Sequence, residues 1–370
     1  MAEKINPSGR LLSLDTLRGM DMLFIMGFSG LLVSLCSLFP GGAECAIARN
    51  MSHVKWHGLH LMDVVFPLFL FIAGVTFPLS YSKKLSRGVS QGRIWWEVIR
   101  RGFVLAFLGL VYNGLLQFKP DLRFASVLGR IGMAWMLAAM LFMCVKTKGR
   151  VLIASLLLAG YWLLLRFVHA PDAPAGAGPY SFEGNLAGYV DRILLPGRLY
   201  MKTFDPEGIL GLIPATVTAM LGMFTGEFVK RDDLSGGRKT LCMLFAAAAL
   251  LAGGLLWGRV FPINKSLWTS SFVLVVGAIS LCSFALLYYV VDVRGWSRWT
   301  LPFRVIGLNS ITIYLGQQII GFRRIAKFFV GGVAGLCPEL WGAVVIDLGY
   351  VVVCWLFLYF LYRHKVFLRV

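Results

Sequence analysis

Apolar runs long enough to cross a bilayer recur along the whole chain, with short polar connectors between them, and that repetition leaves little choice of fold. A helix needs about 20 apolar residues to span the hydrocarbon. The runs end near Phe39, near Tyr81, at about 118, 145, Val168, 229, Val260, 291, 321 and 362. The expected fold class is therefore all-α: a polytopic membrane helix bundle of about ten transmembrane helices, forming one integral-membrane domain over residues 1–370. Composition agrees. Hydrophobic residues make up 58% and charged residues 15%, against roughly 45–50% and 25% in ordinary globular domains. So little charge cannot cover a water-facing surface.

The net charge of +18 does not point to nucleic acid, because no basic stripe is interleaved with aromatics. Lys and Arg gather instead in connectors. Lys4, Arg10, the 83–101 cluster, 146–150, 230–239, Arg294, Arg298, Arg304 and the C-terminal tail fall on one side of the predicted topology. The positive-inside rule then makes both termini cytoplasmic, with 40–57, 169–208 and Asn264-Lys265 outside. A loop with Arg323, Arg324 and Lys327 lies outside against that rule. No cleavable signal peptide is visible. No internal repeat stands out, and Pro67 and Pro214 are each expected to break a span. The seven cysteines include no CxxC pair. Cys36, Cys45 and Cys337 fall near one face, which allows a disulfide, though free thiols used as small apolar residues are the simpler expectation.

Three of the five histidines, His53, His57 and His60, fall within eight residues, just ahead of Asp63 and the second span. Groups that move protons thus stand at a membrane boundary. If helical, the three would share a face near Asp63, a metal-ligand spacing. Gly58 and the surrounding loop composition argue against a helix there, and no metal is expected. A single histidine acting as general base is the sharper alternative; interfacial hydrogen bonding is the plain one. Asp63 lies ten residues beyond His53, too far along a helix to bond it, and is expected to order His60 or Arg130.

Charged residues inside spans face the bundle, pair, or serve a site. Asp15 and Arg18, at i and i+3, can pair, and Asp21 follows one turn later on the same face. Arg130 has no local partner and is expected to pair with a carboxylate of another helix, Asp63 being one option. Asn309 and Gln317 face roughly one way and can bond between helices or touch substrate.

Several segments together resemble the heparan-alpha-glucosaminide N-acetyltransferase family, including its bacterial relatives: RLLSLDTLRGMDML (10–23), HVKWHGLHLMDVVFPLFLFIAGVTFPLS (53–80), SVLGRIGMAWML (126–137), FDPEGILGLIPATVTAMLGMFTGEF (204–228), FPINKSLWTSSFVL (261–274), VVDVRGW (290–296) and GLNSITIYLGQQI (307–319). They occur in order over nearly the whole chain. The resemblance implies a multi-span acetyltransferase that takes acetyl from cytoplasmic acetyl-CoA and gives it to a glucosamine amine across the membrane. It places the active-site histidine, which precedes a W-x-G-L motif, on His53, as base or as acyl carrier. Ser29 stands where the mammalian enzyme has an asparagine close to that histidine. The long luminal N-terminal region of the animal enzyme is not in this sequence, so the resemblance does not by itself make heparan the acceptor.

On this reading Arg18 and the basic connectors suit the phosphates of CoA, with Asp15 beside Arg18 in the same cofactor site. Asp205 and Glu207, with Asn264 and Lys265, can bind a sugar or ammonium group, or simply order their loops. Asp63, His57, Arg130, Ser29 and Asn309 are the further supporting residues. The expected partners are acetyl-CoA, a glycan or amino-sugar acceptor and membrane lipids, with a homodimer compatible. The expected location is a bacterial inner (plasma) membrane. The competing class is a transporter or exporter of a small solute or envelope precursor without acyl transfer. A scaffolding relative that has lost activity is the third.

Overall fold

The structure is a computed structural model that describes residues 11–118 and 120–368. Among these residues every named element is helical; one isolated antiparallel bridge joins Arg123 to Gly197. In chain order the α-helices are α1 (Leu12–Leu23), α2 (Ser29–Cys36), α3 (Ala46–Asn50), α4 (Leu61–Ser86), α5 (Gln91–Tyr112), α6 (Val127–Cys144) and α7 (Thr147–Phe167). They continue as α8 (Leu186–Leu194), α9 (Leu212–Val229), α10 (Gly236–Trp257), α11 (Ser270–Leu287), α12 (Leu301–Leu308), α13 (Ser310–Ile319), α14 (Phe322–Leu336) and α15 (Glu339–Arg363). Local chemistry sets several starts. Ser126 and Asn185 cap α6 and α8 by accepting the amides of Gly129 and Gly188, at 3.0 and 2.7 Å.

Eight helical stretches among the described residues are long and apolar enough to cross a bilayer: Leu12–Cys36, Leu61–Ser86, Val127–Cys144, Thr147–Phe167, Leu212–Val229, Gly236–Trp257, Ser270–Val293 and Glu339–Arg363. The protein is thus a polytopic helical membrane protein. Two of the runs expected from sequence differ from these. The run at 102–118 is the apolar end of α5, which opens with Arg93, Glu97, Arg100 and Arg101. The run at 304–321 is split at Asn309, whose φ of −123° and ψ of 29° end α12 and start α13. Lys4 and Arg10, used in the charge asymmetry, lie outside the described residues.

Proline does not break the spans as expected. Pro214 sits in the first turn of α9, where its missing N–H costs nothing, and α4 runs through Pro67 without interruption. The breaks come at Asn309 and at Phe24–Phe28, a π-helical turn between α1 and α2 in which Gly27 has φ of 109°. Nor is the segment after Gly321 a loop. It is α14, which buries Phe322, Ala326 and Ala334 at fourfold spacing and leaves Phe328, Phe329 and Leu336 exposed. Arg323 there donates to Asp347 of α15 at 2.7 Å, and Asp347 also accepts from the Ser34 hydroxyl at 2.5 Å.

The chain divides into two compact units. Among the described residues, one holds 11–54, 60–65 and 283–368. Here α1 lies against α12, and a Cβ on Gly19 would stand 1.8 Å from the Phe303 carbonyl oxygen, so only glycine lets the backbones meet. Gln317 donates to Ile25 O and to the Tyr350 hydroxyl, both at 3.1 Å, joining the π turn to α13 and α15. That is the interhelical role expected for it. All seven cysteines are free thiols.

The other unit holds 55–59 and 66–282. Within it α4 crosses α9 at near backbone contact. A Cβ on Gly222 would lie 2.1 Å from Phe71 O, and one on Gly226 would lie 2.2 Å from Val75 O. Gly222→Leu is therefore expected to force these helices apart. The variant should lose most of its folded yield in detergent, as size-exclusion profiles would report. Wild-type elution with unchanged melting would refute the close crossing.

Candidate active site

The segment from Ser52 to Asp63 brings together chemistry that its sequence spacing hides. Residues 53–60 are not helical, so the face that would have grouped three histidines for a metal does not exist. The chain makes an excursion and returns. Its two ends are tied, because His60 Nδ1 bonds the Ser52 carbonyl at 2.9 Å and the Leu61 amide donates to Asn50 Oδ1 at 3.2 Å. At the tip, Gly58 has φ of 118°, which side-chain-bearing residues rarely adopt, and its amide donates to Ile263 O at 2.9 Å. Trp56 anchors the same tip. Its indole N–H donates to Tyr180 O at 2.8 Å, and its ring meets Phe182 and Phe204 edge-on at 5.2 and 5.3 Å.

The return places His53 Nδ1 2.8 Å from Asp63 Oδ1. The expectation that ten residues keep these two apart is thus overturned, since distance along a helix does not apply to a closed loop. The Asp63 side chain is 1% exposed and that of His53 57%. The second Asp63 oxygen accepts the amides of His60 and Val54, at 2.9 and 3.4 Å, so the carboxylate also caps the start of α4. An ionised carboxylate only accepts hydrogen bonds, so Nδ1 carries the proton and Nε2 is the basic nitrogen of the His53 ring. A buried carboxylate behind an accessible imidazole is the arrangement of a general base or a nucleophile.

The other expected residues fall into separate groups. His57 faces Asn264, whose side-chain amide lies 3.3 Å from His57 Nδ1; partial burial lowers the His57 pKa and favours its neutral form. Asn264 is fully buried and accepts the Leu267 amide at 2.8 Å, which makes it an organiser of its own turn; Lys265 beside it is half-buried. Ser29 donates to Phe24 O at 3.0 Å across the π turn. Asp15 and Arg18 pair at 3.7 Å, as their spacing predicts. Asn309 is buried at the break between α12 and α13.

Arg130 does not pair with a carboxylate as expected. Its Nη2 donates to Gly208 O at 2.8 Å, and its guanidinium lies 5.2 Å over the Trp268 ring. Asp205 and Glu207 are held by a residue that sequence reasoning passed over, Arg123. Its Nε and Nη2 reach Asp205 at 2.8 and 2.6 Å, and Nη2 also bonds Glu207. Burial works against the Arg123 charge, but the two carboxylates hold its pKa above the ordinary value. Asp191 was passed over as well. It is 1% exposed, accepts the Ile209 amide at 2.8 Å and is pushed up to about 7 by burial.

A carboxyl raised in the folded state binds protons more tightly there than when unfolded, so it favours folding below its unfolded pKa of about 4. That contribution fades as pH rises towards about 7. Asp191→Asn, which keeps the acceptor for Ile209, is expected to flatten this slope and to melt higher than wild type at pH 8. Equal shifts at pH 5 and pH 8 would show that Asp191 does not titrate in this window.

A family model described as a domain of unknown function (DUF5009) matches residues 10–153. The human heparan-alpha-glucosaminide N-acetyltransferase is 30% identical over 365 residues, covering 84% of this chain and 53% of its own length. The mouse protein of the same name is 28% identical, covering 85% and 54%. The chain spans about half the length of these curated relatives. Over that length it is a relative of the heparan-alpha-glucosaminide N-acetyltransferases.

Proposed function

We propose that this protein is a transmembrane acetyltransferase that moves an acetyl group from acetyl-CoA to the amine of an amino sugar or glycan. The observation that carries the reading is the buried Asp63 carboxylate 2.8 Å behind the accessible His53 imidazole, in a chain related to proteins named N-acetyltransferases. A protonated amine cannot attack a thioester. His53 Nε2 takes the proton as the amine nitrogen bonds to the acetyl carbon, and CoA leaves as the thiol once its sulfur is protonated. In the two-step route Nε2 itself attacks, holds the acetyl as an acyl-imidazole and then passes it to the amine. Asp63 serves both routes by fixing the tautomer and stabilising the charged ring.

Acetyl-CoA is drawn from the cytoplasm, with its phosphates met by Arg18 beside Asp15 and by the basic connectors. The acceptor stands on the opposite face, and the setting is a bacterial inner membrane. The interrupted helices at Phe24–Phe28 and Asn309 are also features of transporters, but the relatives are named as transferases.

The test uses purified protein in liposomes, radiolabelled acetyl-CoA and a panel of amines that includes glucosamine. Label on an amine, with CoA released in equal amount, is the expected result. Absence of both CoA release and labelling across the panel, with acetyl-CoA bound, would overturn the acceptor class. No binding of acetyl-CoA at all would overturn acetyl transfer and favour transport.

A further inference from the structure

Arg130 is 3% exposed, yet its Nε and Nη1 have no hydrogen-bond partner among the described residues. Buried donors in native proteins are nearly always satisfied, most stringently when charged. The carboxylates nearest in charge make no hydrogen bond to these two atoms: Asp205 and Glu207 bond Arg123, and Asp191 accepts the Ile209 amide. Arg130 lines a pocket of about 240 Å³ within the larger unit, at the ends of α5, α6 and α9. Apart from Arg130, Glu207 and the capping Ser126, the walls are apolar, Leu110, Phe124 and Leu212 among them.

The pocket also has a direction of approach. Ala106 and Leu110 line it from α5, on the same helical face as Phe103 and Phe107. Those two phenylalanines are 57% and 53% exposed. Exposed aromatic side chains on the apolar end of a helix in a membrane protein face lipid, so the pocket continues a lipid-facing stripe inward to a cation.

We propose that this pocket binds an anionic amphiphile entering sideways from the bilayer, its phosphate or carboxylate oxygens on Arg130 and its apolar chain along Ala106, Leu110 and Leu212. Arg suits this role because its planar fork matches phosphate and carboxylate oxygens and stays charged when buried. Arg123, bonded to Glu207, offsets the one carboxylate in the lining. The proposal does not depend on acetyl transfer.

The experiment uses the full chain in neutral detergent with a diazirine-bearing decyl phosphate as photolabel, and mapping of the labelled peptides by mass spectrometry. Unlabelled decyl phosphate, decanoate and decanol serve as competitors. Label is expected on α5, α6 or the 207–212 turn, displaced by an anion at about tenfold lower concentration than by decanol. Ala106→Trp fills the pocket from α5 while leaving the Arg130 side chain in the sequence, and should abolish the label. Arg130→Gln should remove the preference for anions over decanol; because that variant removes a buried charge, its melting is checked alongside. Stronger competition by decyl phosphate than by decanoate would identify a lipid phosphate as the natural ligand, and the reverse a free fatty acid. Equal competition by all three, or label undiminished in Ala106→Trp, overturns the proposal and leaves a pocket that holds water only.

Discussion

Replacing His53 with alanine is expected to abolish acetyl transfer while leaving the folded protein intact. The side chain is 57% exposed and bonds Asp63, so little packing is lost. A positioned general base contributes about 10²–10⁴ in rate, and loss of an acyl carrier removes the reaction altogether. Label remaining on wild-type protein in the absence of amine, and missing from His53→Ala, would establish the acyl-imidazole route. Label that never stays on protein would favour direct transfer.

Asp63→Asn probes the same pair from behind. The amide can turn its NH₂ towards Nδ1 and hold the ring in the wrong tautomer, leaving Nε2 protonated and unable to accept. A fall in kcat of up to about 10⁴-fold, the cost when an orienting carboxylate becomes an amide and the wrong tautomer results, is expected with KM for acetyl-CoA little changed. Unchanged kcat in either variant, with protein folded by circular dichroism, would remove this pair from the chemistry.

Arg123→Ala is expected to be the most destabilising single change outside the helix crossings. Its partners are buried, Asp205 with a side chain 0% exposed and Glu207 with one 11% exposed. Breaking a buried pair by removing one partner costs about 3–5 kcal/mol, because the carboxylates remain without their cation. Arg123 also sits at the bridge to Gly197 and stacks 4.7 Å over Tyr200, so its loss unties 195–208 from 123–126. Melting in detergent should fall well below wild type. The double variant Arg123→Ala with Asp205→Asn should recover part of the loss, since one stranded charge is gone. Additive losses in the double variant would show that the pair contributes only packing.

Much of the frame is legible in the chain. Runs such as 61–81 and 341–362 can only be membrane helices, because apolar length and backbone satisfaction leave no other solution. Asp15 and Arg18 pair as their spacing within one helix requires. His53 is marked by its place before the Trp56–Gly58 turn. Other features were present but misread. The fourfold spacing of Phe322, Ala326 and Ala334 is a helical signal, obscured by the basic residues between them. Gly27 and Asn309, rather than the prolines, interrupt spans, since a proline in a first turn asks nothing of the helix while a positive φ mid-helix does.

What the sequence by itself determined is the class of protein and the approximate spans, because each depends on local length and composition; among three neighbouring histidines it is the family resemblance that singles out His53. The partners of that histidine and of the buried charges were decided only in three dimensions. Asp63 meets His53 across a non-helical segment of the chain, and Trp56 is held by Tyr180, 124 residues away. Arg123 finds Asp205 across 82 residues, and Arg130 finds Gly208 across 78. Contacts of that span are set by which surfaces pack together, and no local pattern encodes them.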